Sequence, residues 1–161
     1  MPWSKESKQL TKAFYQSVIN HLAENINPEL MELDMRIKDE FLKSNFTKRQ
    51  RVIMTMIYTL SYGLRKNTAI MPKLQNFELA GISKKKIKNE LDQLVAKNVI
   101  TWEREGRGMN YFQINDPDLW EADYHDGYNN RISQELLFLN LEHSGFDTKP
   151  VKNAIKEEEL V

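Results

Sequence analysis

Four polar side chains able to read DNA bases recur at helical spacing between residues 83 and 98. They are Lys85, Lys86, Asn89 and Gln93, which share one face of a helical wheel. Asparagine and glutamine can pair bidentately with adenine, and lysine can donate to guanine. Each such contact contributes about 1–3 kcal/mol of discrimination between bases. The pattern therefore predicts readout of double-stranded DNA in the major groove.

The opposite face of the same segment is apolar, which predicts a helix packed on a core. At spacings of i, i+4, i+7 and i+8 its apolar side chains are Ile87, Leu91, Leu94 and Val95. Ser83 can cap this helix, and Gly81 permits the tight turn of a helix-turn-helix unit. We therefore interpret residues 83–98 as a recognition helix. A solvated lysine face is the alternative, and Asp92 on the open face would repel phosphate.

Further basic residues occur where they can contact phosphates around the reading face. Lys84 and Lys88 flank that face, and Arg107, with Arg104 before it, lies on a predicted hairpin that can reach the minor groove. The N-terminus of the helix that begins after Thr47 adds its dipole to the attraction for phosphate. The predicted phosphate or wing contacts are Lys48, Arg49, Arg51, Arg65, Lys66, Lys84, Lys88, Arg104 and Arg107.

The hairpin also carries side chains that favour other interpretations. Glu103 and Glu105 lie beside the wing arginines and oppose phosphate. Trp102, Tyr111 and Phe112 can stack on single-stranded bases. Successive strand residues point to opposite faces, so Tyr111 and Phe112 cannot both face a ligand. We expect these rings to pack within the sheet.

The charges are sorted along the chain although their sum is zero. Residues 47–112 contain 13 Lys and Arg against 5 Asp and Glu, a net charge of +8. Residues 1–46 contain 6 against 7, and residues 113–161 contain 4 against 11. A basic central segment is typical of a nucleic-acid-binding module, and an acidic tail is typical of a solvated or partner-binding appendage.

Composition argues against several other classes. The absence of cysteine excludes disulfides and thiol catalysis, and His21, His125 and His143 are too scattered for a zinc site. No phosphate-binding glycine loop, dinucleotide motif or metalloprotease motif occurs, so we expect no enzyme, no catalytic residue, no metal and no cofactor. We interpret a group of acidic side chains as a solvated linker and not as a magnesium site: Asp116, Asp118, Glu121, Asp123 and Asp126. Without an apolar run of about 18 residues or a signal peptide, we expect a soluble, cytoplasmic protein.

The surrounding elements predict a mainly α fold with a small β-hairpin, a winged helix-turn-helix. Thr47 caps a helix that stops at Gly63, residues 68–71 are extended, and Pro72 opens a second helix with Leu74, Phe77 and Leu79 on its apolar side. The recognition helix follows. After it, apolar and polar residues alternate with a period of 2, which predicts two strands joined by a glycine-flanked tip. The predicted domain is residues 47–120.

The flanking segments complete the predicted organisation. Residues 1–46 form an N-terminal helical extension with helices over 4–25 and 28–44, which either supports the core or forms a dimer interface. Residues 121–145 form a C-terminal packing segment and a helix from about residue 130 to 142. Residues 146–161 form a mobile acidic tail.

Three stretches of residues 46–120 resemble the winged-helix domain of phage replication proteins of the lambda O type, including prophage replisome organisers. They are FTKRQRVIMTMIYTLSYGLRKNTAI with its Tyr-Gly turn, LAGISKKKIKNELDQLVAKNVI, and NYFQINDPDLW with its Ile-Asn and Trp ending. By motif position, the resemblance assigns base contacts to Lys85, Lys86 and Asn89, and the wing contact to Arg107.

The resemblance implies sequence-specific binding of double-stranded DNA for initiation of phage or plasmid replication. Such proteins bind repeated origin sites as dimers and recruit the replicative helicase or its loader. The resemblance also implies a location in the cytoplasm of the bacterial host cell, in association with the nucleoid. The 45-residue N-terminal extension and the short stretch after residue 145 depart from the family, so we expect a homodimer or partner surface in the added helices, or a fragment of a longer protein. The alternatives are a winged-helix transcriptional regulator and a protein-interaction winged helix for helicase loading or primosome assembly.

Overall fold

A computed structural model of the protein describes residues 11–159 and divides between Asp123 and Tyr124 into two compact units. The helices of the first unit are α1 (Lys12–Glu24), α2 (Pro28–Lys43), α3 (Lys48–Leu60) and α4 (Lys84–Ala96). Its strands are β1 (Thr68–Met71), β2 (Ile100–Arg104) and β3 (Asn110–Ile114). Short 3₁₀ helices span Tyr62–Leu64, Leu74–Ala80 and Pro117–Leu119. The second unit contains α5 (Asn130–His143) and α6 (Lys149–Glu159). The beginning of the first predicted helix, residues 4–10, lies outside the described residues.

The three strands form one antiparallel sheet in the order β1-β3-β2. Phe112 of β3 is opposite Ala69 of β1 and Trp102 of β2. The predicted extended stretch at residues 68–71 is therefore the third strand of the sheet that contains the hairpin. The mainly helical, winged-helix-like fold with a small antiparallel sheet is as predicted.

The core lies between α3, α4 and the sheet. Ile53 and Ile57 of α3, Leu91 of α4 and Phe112 of β3 are all 0% exposed. Phe77 completes the layer, with its ring edge-on to Phe112 at a centroid distance of 5.4 Å. Burying each of these side chains stabilises the fold by about 1.5–3 kcal/mol. These contacts hold α4 against the sheet and fix the direction of its outer face.

Leu79 does not join this core, contrary to the sequence prediction. Residues 74–80 form a 3₁₀ helix rather than an α-helix. With three residues per turn, Leu74 and Phe77 lie on the same side, and Leu79 lies elsewhere. Phe77 is fully buried, whereas Leu79 is 84% exposed.

Helix α2 is attached to the turn that follows β3 by a guanidinium group. Arg36 Nη1 and Nη2 donate to the two carboxylate oxygens of Asp116 at 3.2 and 2.8 Å, and Nη2 lies 2.8 Å from Asp118 Oδ2. A hydrogen bond from the Asp118 backbone N–H and the bonds from Arg36 lower the pKa of the Asp116 carboxyl. Asp116 and Asp118 of the predicted solvated linker have side chains that are 41% and 82% accessible, and both also pair with Arg36 of α2.

Helix α1 has no buried residue. Phe14, Tyr15 and Ile19 are each about half exposed. Arg65 Nη1 donates to the Leu22 carbonyl at 2.6 Å, which attaches the C-terminal end of α1 to the turn after α3. The predicted extension is thus helical over Lys12–Glu24, and its apolar side chains remain largely uncovered.

The second unit consists of two helices joined by polar contacts. Asn129 caps α5 by accepting from the Ile132 N–H, and α5 has no buried residue. Glu142 of α5 accepts from Lys152 of α6 at 2.7 Å and from the Thr148 hydroxyl. These two bonds lower the pKa of the Glu142 carboxyl. Within the predicted mobile acidic tail, residues 149–159 form a helix.

Within residues 11–159, no helix combines the length and the apolar character that crossing a bilayer requires.

Candidate nucleic-acid interface

Three of the residues predicted to contact bases lie on the solvent-exposed face of helix α4. Lys85, Lys86 and Asn89 are exposed, whereas Ile87 and Leu91 on the opposite face are 2% and 0% exposed. Asparagine offers a donor and an acceptor, and lysine offers donors, so this face can read base edges. Ser83 occupies the N-cap position as predicted, but its hydroxyl makes no capping hydrogen bond.

An open groove of about 540 Å³ lies between α4, the β2–β3 hairpin and the segment at Pro72–Gln75. Ile87 and Met109 contribute apolar surface to it. Its cationic side chains are Lys73, Lys84, Lys88, Arg104 and Arg107. The fold therefore brings the predicted flanking lysines of α4 and the predicted wing arginines to one concave surface, which is suited to a phosphate backbone.

Lys73 was missed by the sequence analysis. It lies directly after Pro72, at the start of the 3₁₀ helix Leu74–Ala80, and its position beside the hairpin depends on tertiary packing. The sequence signal was a single lysine in a turn, which by itself does not distinguish a ligand-binding residue from a solvated one.

Asp92, the discordant residue of the recognition helix, has a partner. Lys88 Nζ lies 2.9 Å from Asp92 Oδ2, an i,i+4 pair whose side chains are 73% and 51% exposed. A pair this exposed stabilises the helix by less than about 1 kcal/mol. Its main consequence is electrostatic, because Asp92 offsets the charge of Lys88 and leaves the remaining groove cations to supply the net positive field.

Gln93, predicted to contact bases, is exposed but hydrogen-bonded to a buried residue of α3. Gln50 Nε2 donates to Gln93 Oε1 at 3.0 Å. Gln50 is 0% exposed and forms a capping box with Thr47. Sequence reasoning missed Gln50, although Thr47 followed by Gln50 has the Thr-x-x-Gln spacing of a capping box.

A carboxylate lies on the inner side of the recognition helix. Glu90 is 5% exposed, and its Oε1 is 3.7 Å from Arg49 Nη1. Glu90 Oε2 has no hydrogen-bond partner among the described residues. Arg49 itself is about half exposed, so it compensates the buried charge from the solvent side. The predicted phosphate contact at Arg49 thus coincides with a structural ion pair.

Two other predicted phosphate contacts are engaged within the fold. Arg51 donates to the carbonyl groups of Phe41 and Ser44 at the end of α2, with its guanidinium 5.0 Å from the Phe41 ring centroid. Arg65 donates to the Leu22 carbonyl, as described above. Both arginines satisfy carbonyl groups of a helix C-terminus, which a cation stabilises through the helix dipole. Lys48 and Lys66 are exposed, and neither lines the groove.

The aromatic side chains of the hairpin belong to the sheet. Phe112 is fully buried, and the Trp102 ring stacks on it at 5.9 Å. Trp102 Nε1 also donates to Asn110 Oδ1 at 3.0 Å. Tyr111 donates to Glu105 Oε2 at 2.9 Å, which raises the pKa of the Tyr111 hydroxyl and occupies one of the acidic residues next to the wing. Packing, the interpretation favoured from the sequence, accounts for Trp102 and Phe112.

Comparison with known proteins gives one match. The family model described as bacteriophage replication protein O matches residues 22–115, more than half of the chain. The matched span runs from the last turn of α1 to the residue after β3, so it contains α4, the groove and the hairpin. No curated protein and no solved structure matches the chain.

Proposed function

The chain belongs to the bacteriophage replication protein O family, and from this premise we propose that it binds double-stranded DNA sequence-specifically to initiate replication. The family gives the role in phage replication. The proposed activity is recognition of origin DNA and assembly of the replication machinery on it, without a chemical step. Binding would take place on DNA in the cytoplasm of the host cell.

The observation that carries the proposal is the continuous surface formed by the outer face of α4 and the cationic groove. A helix about 10–12 Å wide fits the major groove, which is about 12 Å wide. With α4 in that groove, Lys85, Lys86 and Asn89 would face base edges. Arg104 and Arg107 on the hairpin would then reach the flanking phosphates or the minor groove, as wings do in this class of domain.

We also propose that the protein acts as a homodimer through its N-terminal helices. The support is that α1 buries none of its residues, although Phe14, Tyr15 and Ile19 are large apolar or aromatic side chains. A helix this short and unburied gains little stability alone, and a second copy would cover its apolar face. Dimeric proteins bind two half-sites, so origin sites with two-fold symmetry or repeats are expected.

A replicative helicase or its loader is the partner that the proposed role requires. An origin-binding protein without a catalytic function acts by bringing other proteins to the site. Pull-down of the host helicase or loader on origin DNA, with the DNA omitted as a control, would test this part of the proposal.

Selection from a pool of random duplexes tests DNA recognition and identifies the recognised site in the same experiment. The wild-type protein is expected to enrich one sequence motif. A variant carrying Lys85→Glu and Lys86→Glu is expected to enrich none, because it reverses two charges on the reading face. The matched control carries Lys149→Glu and Lys156→Glu in α6, which change the net charge equally and are expected to leave the motif unchanged.

The proposal fails if the wild-type protein enriches no motif, or if the Lys85 and Lys86 double variant enriches the same motif as the wild type. All four lysines are exposed, so thermal unfolding of both variants is expected to match the wild type and serves as the folding control. The genomic position of the motif separates the two DNA-binding roles. Repeats within a replication origin support initiation, and overlap with a promoter supports transcriptional regulation.

A further inference from the structure

We propose that Gln50, buried behind the reading face, fixes the orientation of the Gln93 amide and so sets a base preference. This inference rests on the proposed function, since it concerns which base the DNA-binding surface selects. Gln50 is a positioning residue and Gln93 is the residue that would contact DNA. The chain of hydrogen bonds that links them begins at the N-terminal cap of α3.

The capping box leaves the Gln50 amide a single orientation. The Thr47 N–H donates to Gln50 Oε1 at 3.1 Å, and the Gln50 N–H donates to Thr47 Oγ1 at 3.1 Å. Rotating the side-chain amide by 180° would place its NH₂ group against the Thr47 N–H, two donors facing each other. Gln50 is fully buried, so water could not satisfy the groups left unpaired. The oxygen therefore faces Thr47.

The orientation of Gln93 follows from that of Gln50. Because Gln50 Oε1 is directed to Thr47, its Nε2 is the atom that meets Gln93, and Gln93 must offer its oxygen at 3.0 Å. The Gln93 NH₂ group is then directed away from Gln50. Gln93 lies four residues after Asn89, one helical turn along the exposed face of α4. The end of the reading face thus offers hydrogen-bond donors.

A donor at this position selects among bases by their acceptors in the major groove. Guanine presents two acceptors there, O6 and N7, adenine (N7) and thymine (O4) present one each, and the cytosine edge presents only the N4 amino donor. The bidentate pairing with adenine that the side-chain type suggests needs the oxygen of Gln93 to face the base, and Gln50 holds that oxygen. We therefore expect exclusion of cytosine at the base that Gln93 contacts, and a preference there for guanine, the base with two acceptors.

The variant Gln50→Glu reverses the direction of the hydrogen bond between residues 50 and 93. One carboxylate oxygen of the glutamate can still accept from the Thr47 N–H, since glutamate is common at the N3 position of a capping box. The other oxygen is an acceptor, so it would turn the NH₂ group of Gln93 inward and direct the Gln93 oxygen to the DNA. The variant Gln93→Glu gives an outward acceptor without a buried charge, because residue 93 is exposed. Gln93→Ala removes the contact.

Selection from random duplexes with these variants tests the inference. Relative to the wild type, Gln50→Glu and Gln93→Glu are expected to lower guanine at one motif position by about fivefold or more and to raise cytosine or adenine there. Gln93→Ala is expected to give no preference at that position, and the other positions of the motif are expected to stay unchanged. A motif identical in the wild type and Gln93→Glu would overturn the inference. A wild type that enriches no motif would instead overturn the proposed function.

A second measurement needs no DNA and covers the case in which Gln50→Glu does not fold. In nitrogen-15 NMR spectra, the side-chain NH₂ of Gln50 is expected to exchange slowly with water and to shift on Gln93→Ala, because it loses its acceptor. The NH₂ of Gln93 is expected to exchange at the rate of an exposed amide. Equal exchange of the two amides, or an unshifted Gln50 signal in Gln93→Ala, would contradict the link.

Discussion

If the protein binds DNA as proposed, we expect the salt dependence of its affinity to depend on the cations of the groove between α4 and the hairpin. Four of its cations form no ion pair with a described residue: Lys73, Lys84, Arg104 and Arg107. If each neutralises one phosphate, the slope of log affinity against log salt is about −0.9 for each cation, or roughly −3.6 for one protomer. Raising monovalent salt from about 50 to 200 mM would then weaken binding roughly 150-fold.

Removing the two wing charges provides the corresponding perturbation. The variant carrying Arg104→Gln and Arg107→Gln leaves two of the four cations, so its slope is expected to be about −1.8 and the same salt change to weaken binding only roughly 12-fold. Fluorescence anisotropy with a labelled duplex of unrelated sequence isolates this electrostatic contribution, because phosphate contacts carry no base information. The measurement is the slope of log affinity against log salt for this duplex.

A control variant carries Lys97→Gln and Lys149→Gln, which remove the same number of charges. Lys97 follows the last turn of α4, about 20 Å along the helix from Lys84, and this exceeds the Debye length of about 10 Å at 0.1 M salt. The control is expected to keep the wild-type slope. A wild-type slope near zero would refute the assignment of the groove to phosphate, as would a slope that the wing variant and the control reduce equally.

Two predictions concern the pH dependence of stability. Burial raises the pKa of Tyr62 from 10.0 to about 12, so the folded protein keeps a proton that the unfolded chain releases. This group should lower the free energy of unfolding above pH 10 by about 1.4 kcal/mol for each pH unit. Tyr62→Phe should therefore make the fall in stability smaller in urea unfolding measured at pH 8 and pH 11.5. The pKa of Asp116 is lowered in the fold, so its carboxylate stabilises the protein above its ordinary pKa of 3.8. This stabilisation is lost as the pH falls through the lowered pKa. Asp116→Asn should therefore make the free energy of unfolding less dependent on pH in unfolding curves measured between pH 2 and 5. An unchanged alkaline fall in Tyr62→Phe, or an unchanged acid limb in Asp116→Asn, would contradict the respective assignment.

The sequence predicts well those features that depend on local periodicity. The apolar stripe of α4, with Ile87 and Leu91 inside and Lys85 and Asn89 outside, needs only the 3.6-residue repeat and a core to face. The strand at residues 68–71 and the hairpin follow in the same way from extended stretches between turn residues. The prediction for Leu79 was wrong because a 3₁₀ helix has a different period from an α-helix, and the sequence did not distinguish these two helix types.

The roles of arginine residues depend on tertiary partners and were not predictable. Arg51 and Arg65 have the same charge and reach as the wing arginines, but each meets a helix C-terminal carbonyl. Arg36 meets carboxylates 80 residues away. A guanidinium group suits phosphate, carboxylate and carbonyl acceptors alike, so only the folded arrangement assigns it to one of them. The same holds for Gln50, whose local capping role was visible in the spacing and whose contact with Gln93 was not.

The Arg36 contact with Asp116 has a consequence for how such a domain can be combined with others. Together with the hydrogen bond from the Asn45 N–H to the Asp123 carbonyl at 2.7 Å, it holds the segment through which the chain enters the winged-helix-like module beside the segment through which the chain leaves it. A module whose two ends meet can be excised, or inserted into a surface loop of an unrelated protein, without stretching its own backbone. Exchange of the whole module between otherwise different proteins would then require no change to the outer face of α4.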